Sequence, residues 1–277
     1  MGRRALVLAV LTAVTARAQP VLITGASTSA TWDSNVTRSA QPEGGLFVDG
    51  TAHVGGGLAL LDERLLLTGL VLYRGRMPVT LEALTSHVFV GSAAASLRVV
   101  PWLRLGVSGV GGYTLLSDPT RSGPRADARA FFRAMPLDWL DVRGGYAWLY
   151  RVAADPVFTT ANHEVSLSLE LHPLTWLELS AGWSFSTGGD VVFVSTPAGS
   201  ATTSGARGAG WLGGSSGGEL WVPTPTRAQT HAVSATAFAL LPKGFGAGVE
   251  FTWLTSDNAL QPWSGWIGSV VASWDLP

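Results

Sequence analysis

The chain has 277 residues, of which 47% are hydrophobic and only 13% are charged, and its formal net charge is -1. The high hydrophobic share argues against intrinsic disorder, and the charge gives no electrostatic footprint for nucleic acid. The chain has no Cys, which excludes disulfide frameworks, zinc fingers, iron–sulfur sites and cysteine nucleophiles. Because an average soluble protein is about one quarter charged, this composition raises the question of where the apolar side chains are buried.

Residues 1–18, MGRRALVLAVLTAVTARA, are typical of a secretory signal peptide. A short basic start precedes an apolar run, and Ala16-Arg17-Ala18 provides a small-x-small cleavage site before Gln19. The apolar run is too short for a membrane-spanning helix, which needs about 20 residues. We therefore expect residues 1–18 to be removed on export and residues 19–277 to form one domain.

A repeat of 37 residues follows, because Trp102, Trp139 and Trp176 are each 37 positions apart. Each Trp begins a stretch in which apolar and polar residues alternate. In WLELSAGWSF, which starts at Trp176, the residues Leu177, Leu179 and their successors at every second position are apolar, and the residues between them are polar or small. A period of two predicts β-strands that present one apolar face.

The alternating stretches predict an all-β fold of twelve antiparallel strands that close into an up-and-down barrel. A soluble sandwich would also alternate, but stretches of about ten residues match strands that cross a bilayer, and short turns alternate with longer connections as in outer-membrane barrels. The first, second and tenth stretches alternate poorly, so ten strands remain an alternative. The predicted strands lie near 21–32, 46–60, 65–74, 85–99, 102–115, 125–135, 139–151, 163–172, 176–187, 228–241, 245–255 and 265–275.

The longest predicted connection is 189–227, which is rich in Gly and poor in charge. Loops of this length without their own secondary structure are usually functional or disordered. Three interpretations stay open for it: a plug folded into the barrel, a contact for a partner, and a mobile surface loop.

The signal peptide, the dyad alternation and the Pro-x-x-Trp-Leu starts at Pro136 and Pro173 resemble those of bacterial outer-membrane β-barrel proteins of the porin-like kind. The resemblance covers roughly residues 19–277. It implies a protein of the Gram-negative outer membrane that contacts outer-membrane lipid and, in the trans-envelope alternative below, other envelope proteins. It also implies that both chain ends lie on the periplasmic side.

If the apolar face meets lipid, the polar face lines a lumen with a belt of charge near its inner mouth. Glu170 should lie opposite Glu178 across a hairpin, with Arg133 or Arg143 relieving the repulsion. The predicted pore-lining residues are Arg98, Arg104, Arg125, Arg129, Arg133, Asp141, Arg143, Arg151, Glu164, Glu170, Glu178 and Glu250. The aromatic residues predicted at the membrane interface are Trp102, Trp139, Trp176 and Trp274.

The sequence has no motif for catalysis or for a cofactor. It contains no H-E-x-x-H and no His-x-Ser. We therefore expect no enzymatic activity, a membrane lipase included, and no cofactor or metal. The predicted function is a porin-like channel for small solutes. The alternative is a structural outer-membrane component of a trans-envelope complex, such as a gliding-motility or polysaccharide-export machine.

Overall fold

The computed structural model describes residues 19–36, 43–79, 85–197 and 219–276, and its twelve strands form one closed antiparallel barrel. Each strand pairs with its neighbours in the chain, and the first pairs with the last. The predicted twelve-stranded up-and-down barrel is confirmed, and the ten-strand alternative is wrong. The strands are β1 (Gln19–Asp33), β2 (Gly45–Leu60), β3 (Leu65–Pro78), β4 (Ser86–Val100), β5 (Leu103–Leu116), β6 (Gly123–Leu137), β7 (Leu140–Arg151), β8 (Thr160–Leu174), β9 (Leu177–Pro197), β10 (Glu219–Leu240), β11 (Phe245–Asn258) and β12 (Trp263–Leu276).

The barrel closes through β1, whose sequence alternates least clearly. From Thr24 to Thr31, β1 consists only of Gly, Ala, Ser and Thr, so its two faces differ little in hydrophobicity. Its backbone nevertheless pairs with β12 from Thr24↔Leu276 to Asp33↔Ile267 and with β2 along its whole length. This closure leaves the barrel wall without an unpaired strand edge, which is the energetic reason for a barrel in an apolar phase.

The two ends of the barrel differ. At one end, which we call the short-turn end, tight turns join β2 to β3, β4 to β5, β6 to β7, β8 to β9 and β10 to β11. β1 begins at this end and β12 finishes there. The longer connections lie at the opposite, loop end, where two of them contain short 3-10 helices, Pro119–Arg121 and Pro156–Phe158. No helix in the described ranges is long and apolar enough to cross a membrane.

The Trp residues of the 37-residue repeat occupy equivalent places in three short turns. The backbone carbonyl of Trp102 accepts a hydrogen bond from Met135 N at 2.7 Å, and that of Trp139 accepts one from His172 N at 2.9 Å. Trp176 does the same with a backbone amide of β10. The repeat therefore corresponds to one hairpin of the barrel wall, tied by its turn to the next hairpin.

The apolar side chains of the strands point out of the barrel. Leu167, Leu169 and Trp183 are 45%, 44% and 41% exposed, and they share the outward face with the other large apolar side chains of β8 and β9. On the inward face, Asp127 and Asp141 are only 6% and 2% exposed. This is the reverse of a soluble sandwich, which would bury the apolar face.

The predicted loop 189–227 is wrong at both of its ends, because strands continue into it. β9 runs to Pro197 and β10 begins at Glu219, and these two residues are paired. Beyond Gly188, which is the last residue of β9 paired with β8, residues 189–197 pair only with 219–227. These two segments form a two-stranded ribbon of about 30 Å beyond the barrel rim. Residues 198–218 and the predicted signal peptide, residues 1–18, lie outside the described residues.

Gly188 marks the point where the ribbon leaves the barrel. Its φ of +154° is rarely adopted by L side chains, and a Cβ there would lie 2.2 Å from the carbonyl oxygen of Ala161. Both features require glycine at this position. The ribbon therefore begins at a position fixed by the sequence, because no other residue fits there.

Candidate solute pathway

All twelve residues predicted to line the pore lie at inward positions of the barrel wall. The register connects them directly across neighbouring strands, for example Arg125 with Arg151 and Asp141 with Glu170. All seven Arg of the set are on β4 to β7, whereas the Glu residues are on β8, β9 and β11. Arginine and glutamate side chains of the set therefore occupy different sectors of the inner wall, and Asp141 lies within the arginine sector.

A row of four arginines crosses the wall near the short-turn end. Arg98 lies directly opposite Arg104, Arg104 opposite Arg133, and Arg133 opposite Arg143. We call these four residues the arginine row. With neighbouring strands about 4.8 Å apart, the row extends over about 14 Å of the wall. Like charges in directly opposite positions repel, so the row needs nearby carboxylates or another anion.

Asp141 neutralises one half of the arginine row. Its Oδ2 accepts hydrogen bonds from Arg133 Nε at 2.7 Å and from Arg143 Nη2 at 2.7 Å. Arg143 Nη2 also lies 2.7 Å from Glu170 Oε2. The second oxygen of Asp141, Oδ1, is buried and has no hydrogen-bond partner. We call Asp141, Arg133, Arg143 and Glu170 the Asp141 cluster.

The other half of the row contacts the turn between β2 and β3. Arg98 Nη2 lies 3.1 Å from Glu63 Oε2 and also donates to the carbonyl oxygen of Glu63. Arg104 Nη2 donates to the same carbonyl oxygen at 3.2 Å. The turn places Glu63 there through three consecutive left-handed residues, Leu61, Asp62 and Glu63, with φ of 54°, 54° and 63°. Such a conformation is costly for residues other than glycine.

A second group of charges lies near the loop end, and part of it was not predicted. Asp49 of β2 is 3% exposed. Its Oδ1 lies 2.7 Å from Arg76 Nε and 3.4 Å from Arg74 Nη2, and its Oδ2 accepts from Thr31 Oγ1 at 3.0 Å. We call these four residues the Asp49 cluster. Arg74 is the last residue of the predicted third strand, and Arg76 continues its alternation two positions further, which was the signal in the sequence.

Asp127 forms a third, similar cluster on β6. Its Oδ2 lies 2.7 Å from Arg125 Nη2 and 4.0 Å from Arg129 Nη2. Near it, Arg151 Nη2 donates to the backbone carbonyl of Arg121 at 2.6 Å. At both ends of the lumen, each of these buried aspartates is therefore held by arginines.

The expected pairing of Glu170 with Glu178 is wrong. Glu170 lies opposite Ser180, because the hairpin turns at Thr175-Trp176 and not at Leu174, and the register then shifts by one residue between Leu174 and Leu171. The shifted segment contains Pro173, which has no N–H to donate and favours a bulge. Of the two Arg expected to relieve the repulsion, Arg143 contacts Glu170 and Arg133 contacts Asp141.

One group in the described part of the chain has donor atoms close enough to suit a metal ion. Ligand atoms of Glu170, His172 and Glu178 lie within 4.8 Å of one another. Glu170 is already engaged, with His172 Nε2 at 2.9 Å from its Oε1 and Arg143 on its Oε2. The guanidinium thus takes the place that a cation would need on this carboxylate.

The inner wall leaves space beside its charged side chains. A cavity of about 370 Å³ adjoins Arg129, Arg133, Arg143, Glu164 and Ser166. The side chains of Arg129, Arg133 and Arg143 are 45%, 43% and 44% exposed although they point into the barrel. The lumen in this sector is therefore not filled by side chains of the described residues. Glu250 also faces inward and is exposed.

The four predicted interface aromatics all lie at the short-turn end. Trp102, Trp139 and Trp176 are about half exposed in their turns. Trp274 is 44% exposed on β12 and stacks on Phe245, with ring centroids 5.8 Å apart. This common height agrees with an aromatic belt at one membrane surface, and their contact with lipid headgroups stays a prediction.

No family model matches the chain, and no curated protein matches it. Among solved structures, the chain is similar to an outer-membrane channel from Pseudomonas putida F1, with a TM-score of 0.58 and 11% identity over 93% of this chain and 97% of that one. It is also similar to the NanC porin, with a TM-score of 0.52 and 8% identity over 91% of this chain and 100% of that one. The predicted resemblance is confirmed: this chain has the β-barrel fold of bacterial outer-membrane channels.

Proposed function

We propose that the protein is a non-enzymatic, passive channel of the Gram-negative outer membrane, with a charged lumen for small solutes. One observation carries the proposal. The seven arginine side chains of the inner wall that form ion pairs are between 28% and 47% exposed at both ends of the barrel, Arg76 being the least and Arg74 the most exposed. A lumen packed with side chains would bury them, whereas a water-filled lumen leaves them accessible.

The distribution of charge supports selection among solutes. Arginines face the lumen from β3 to β7, and the opposite sector has Glu164, Glu170, Glu178 and Glu250. Opposite charges on facing walls produce a field across the pore, which orients or selects charged solutes. Outer-membrane location is supported by the outward apolar face, which needs an apolar phase, and by the predicted signal peptide.

Because the natural chain has no Cys, single-cysteine variants give a clean test. Ser166 and Val165 are neighbours on β8, and Ser166 faces the lumen while Val165 faces outward. We expect the purified protein to conduct ions in planar lipid bilayers. A bulky hydrophilic thiol reagent should reduce the current of Ser166→Cys by more than half and leave that of Val165→Cys unchanged.

Two results would contradict the channel. The first is absence of ion current both in the intact protein and after removal of residues 198–218. The second is equal sensitivity of Ser166→Cys and Val165→Cys to the reagent, which would mean that the current does not pass through the barrel.

The ribbon favours the second candidate function, a structural component of a trans-envelope complex. Beyond Gly188, the segments 189–197 and 219–227 form a ladder with each other but not with β8 or β11. Strands at the edge of a sheet are common sites for association with another chain. A photo-crosslinking residue at Ser195, compared with one at Val165, tests this in intact cells. A discrete protein adduct from Ser195 alone would favour the complex over a simple pore.

A further inference from the structure

The arginine row has one more positive charge than the carboxylates that touch it. Three carboxylates contact three of its four guanidinium groups: Glu63 with Arg98, Asp141 with Arg133 and Arg143, and Glu170 with Arg143. Arg104 lies between Arg98 and Arg133 and is absent from every one of these ion pairs. Among the described residues, its only acceptor contact is the backbone carbonyl of Glu63.

Arg104 also has a donor without an acceptor. Its Nη1 is buried and makes no hydrogen bond. An unsatisfied donor is unfavourable, and here it belongs to a charged group that stands between two other positive charges, Arg98 and Arg133. The position thus lacks both a negative charge and a hydrogen-bond acceptor.

We propose that Arg104 and its neighbours in the arginine row bind one oxyanion, the phosphate, sulfate or carboxylate group of a small solute in the lumen. A guanidinium offers paired donors that match two oxygens of such a group. Arg98 and Arg133, one strand away on either side, supply further donors. The inference deepens the proposed channel function and rests on it, since the solute reaches the row through the lumen.

Glu63 acts as a built-in competitor for this site. Its side chain is 68% exposed, so its ion pair with Arg98 is only weakly stabilising. The left-handed turn that contains it holds its carboxylate beside the row. An oxyanion that binds at Arg104 must share Arg98 with Glu63, so removing the carboxylate should strengthen binding.

The test is calorimetric titration of the purified, detergent-solubilised protein with inorganic phosphate. We expect one phosphate site per chain. The affinity should fall at least tenfold in Arg104→Gln and about threefold in Arg104→Lys, because lysine keeps the positive charge but lacks the paired N–H donors of a guanidinium. Arg129→Gln is the matched control, because Arg129 also faces the lumen but lies four residues from the row on β6. It should change the affinity less than twofold, and Glu63→Gln should increase the affinity several-fold.

Folding of each variant is checked by its heat-dependent migration on gels. Equal weakening by Arg104→Gln and Arg129→Gln would overturn the proposal, since it would indicate a diffuse field. No measurable phosphate binding by the natural chain, or weaker binding in Glu63→Gln, would also overturn it. Binding is measured without ion current, so a protein that binds phosphate but does not conduct contradicts the channel and not the site.

Discussion

Two buried aspartates at opposite ends of the lumen, Asp49 and Asp141, are each held by two arginines, but only one of them is fully satisfied. Both oxygens of Asp49 have partners, including Thr31 and a bidentate contact with Arg76. In Asp141, Oδ2 receives every contact and Oδ1 receives none. The Asp49 cluster is therefore a closed network that holds the wall, and the Asp141 cluster is an open one with capacity for further contacts.

The two clusters also differ in the strands that supply their arginines. Arg74 and Arg76 both belong to β3, and Thr31 belongs to β1, so the Asp49 cluster ties β2 to its two neighbours. Arg133 and Arg143 belong to β6 and β7, and Arg143 continues to Glu170 on β8. A change in the Asp141 cluster should therefore affect the charge of the whole inner mouth, whereas a change in the Asp49 cluster should affect stability.

The largest expected effect follows from removing the carboxylate of the closed network. Asp49→Ala leaves Arg76, whose side chain is 28% exposed, without its bidentate partner. Breaking a buried ion pair from one side costs about 3 kcal/mol or more. We expect a loss of about 3 kcal/mol in the free energy of unfolding, measured by urea titration of the protein in lipid vesicles.

The matched control for Asp49→Ala is Asp257→Ala, because Asp257 is an exposed carboxylate at an outward position of β11. It should change the free energy of unfolding by less than about 0.5 kcal/mol. If the two variants were equally stable, the Asp49 cluster would not be the clamp that its geometry indicates.

An intermediate effect is expected from the packing of the wall beside the arginine row, where no charge is involved. In Gly106→Ala, the new Cβ would lie 2.4 Å from the ring of Phe131 and 2.8 Å from the carbonyl oxygen of Ala95. Overpacking of this kind costs about 1–3 kcal/mol. Gly109→Ala on the same strand meets nothing within 4 Å and should be neutral in the same urea titration. Equal losses in the two variants would show that strand propensity dominates.

The sequence predicted the strands of the barrel well where side chains alternate and poorly where backbone pairing alone decides. The strands from Leu65 to Leu174 have period-two patterns, and their predicted bounds lie within a few residues of the observed ones. The segments 189–197 and 219–227 contain the consecutive apolar runs Val191-Val192-Phe193-Val194 and Leu220-Trp221-Val222-Pro223, so their sequence gave no periodic signal. A ribbon held by its own ladder needs no apolar face.

The sequence predicted which charged residues face the lumen, but it did not predict which of them contact one another. Alternation placed Arg104, Arg133 and Arg143 on one face, but the position of the turn after Leu174, together with the bulge at Pro173, determined the partner of Glu170. The role of Glu63 depends on a left-handed turn of three residues that are not glycine, for which the sequence has no marker. Register and turn geometry determine which charges meet, and neither follows from periodicity.

The smallest effect on stability, and the sharpest test of the difference between the clusters, is expected from Asp141→Asn. Because Arg133 and Arg143 are 43% and 44% exposed, water replaces much of what the carboxylate provides, and the free energy of unfolding should fall by only about 1 kcal/mol. The variant adds one net positive charge at the inner mouth, so the reversal potential in a KCl gradient should shift toward that of chloride. Asp49→Asn neutralises a charge whose arginines lie at the loop end, and it should shift the potential less. A larger shift for Asp49→Asn would place the selective region at the loop end and contradict the role given to the open cluster.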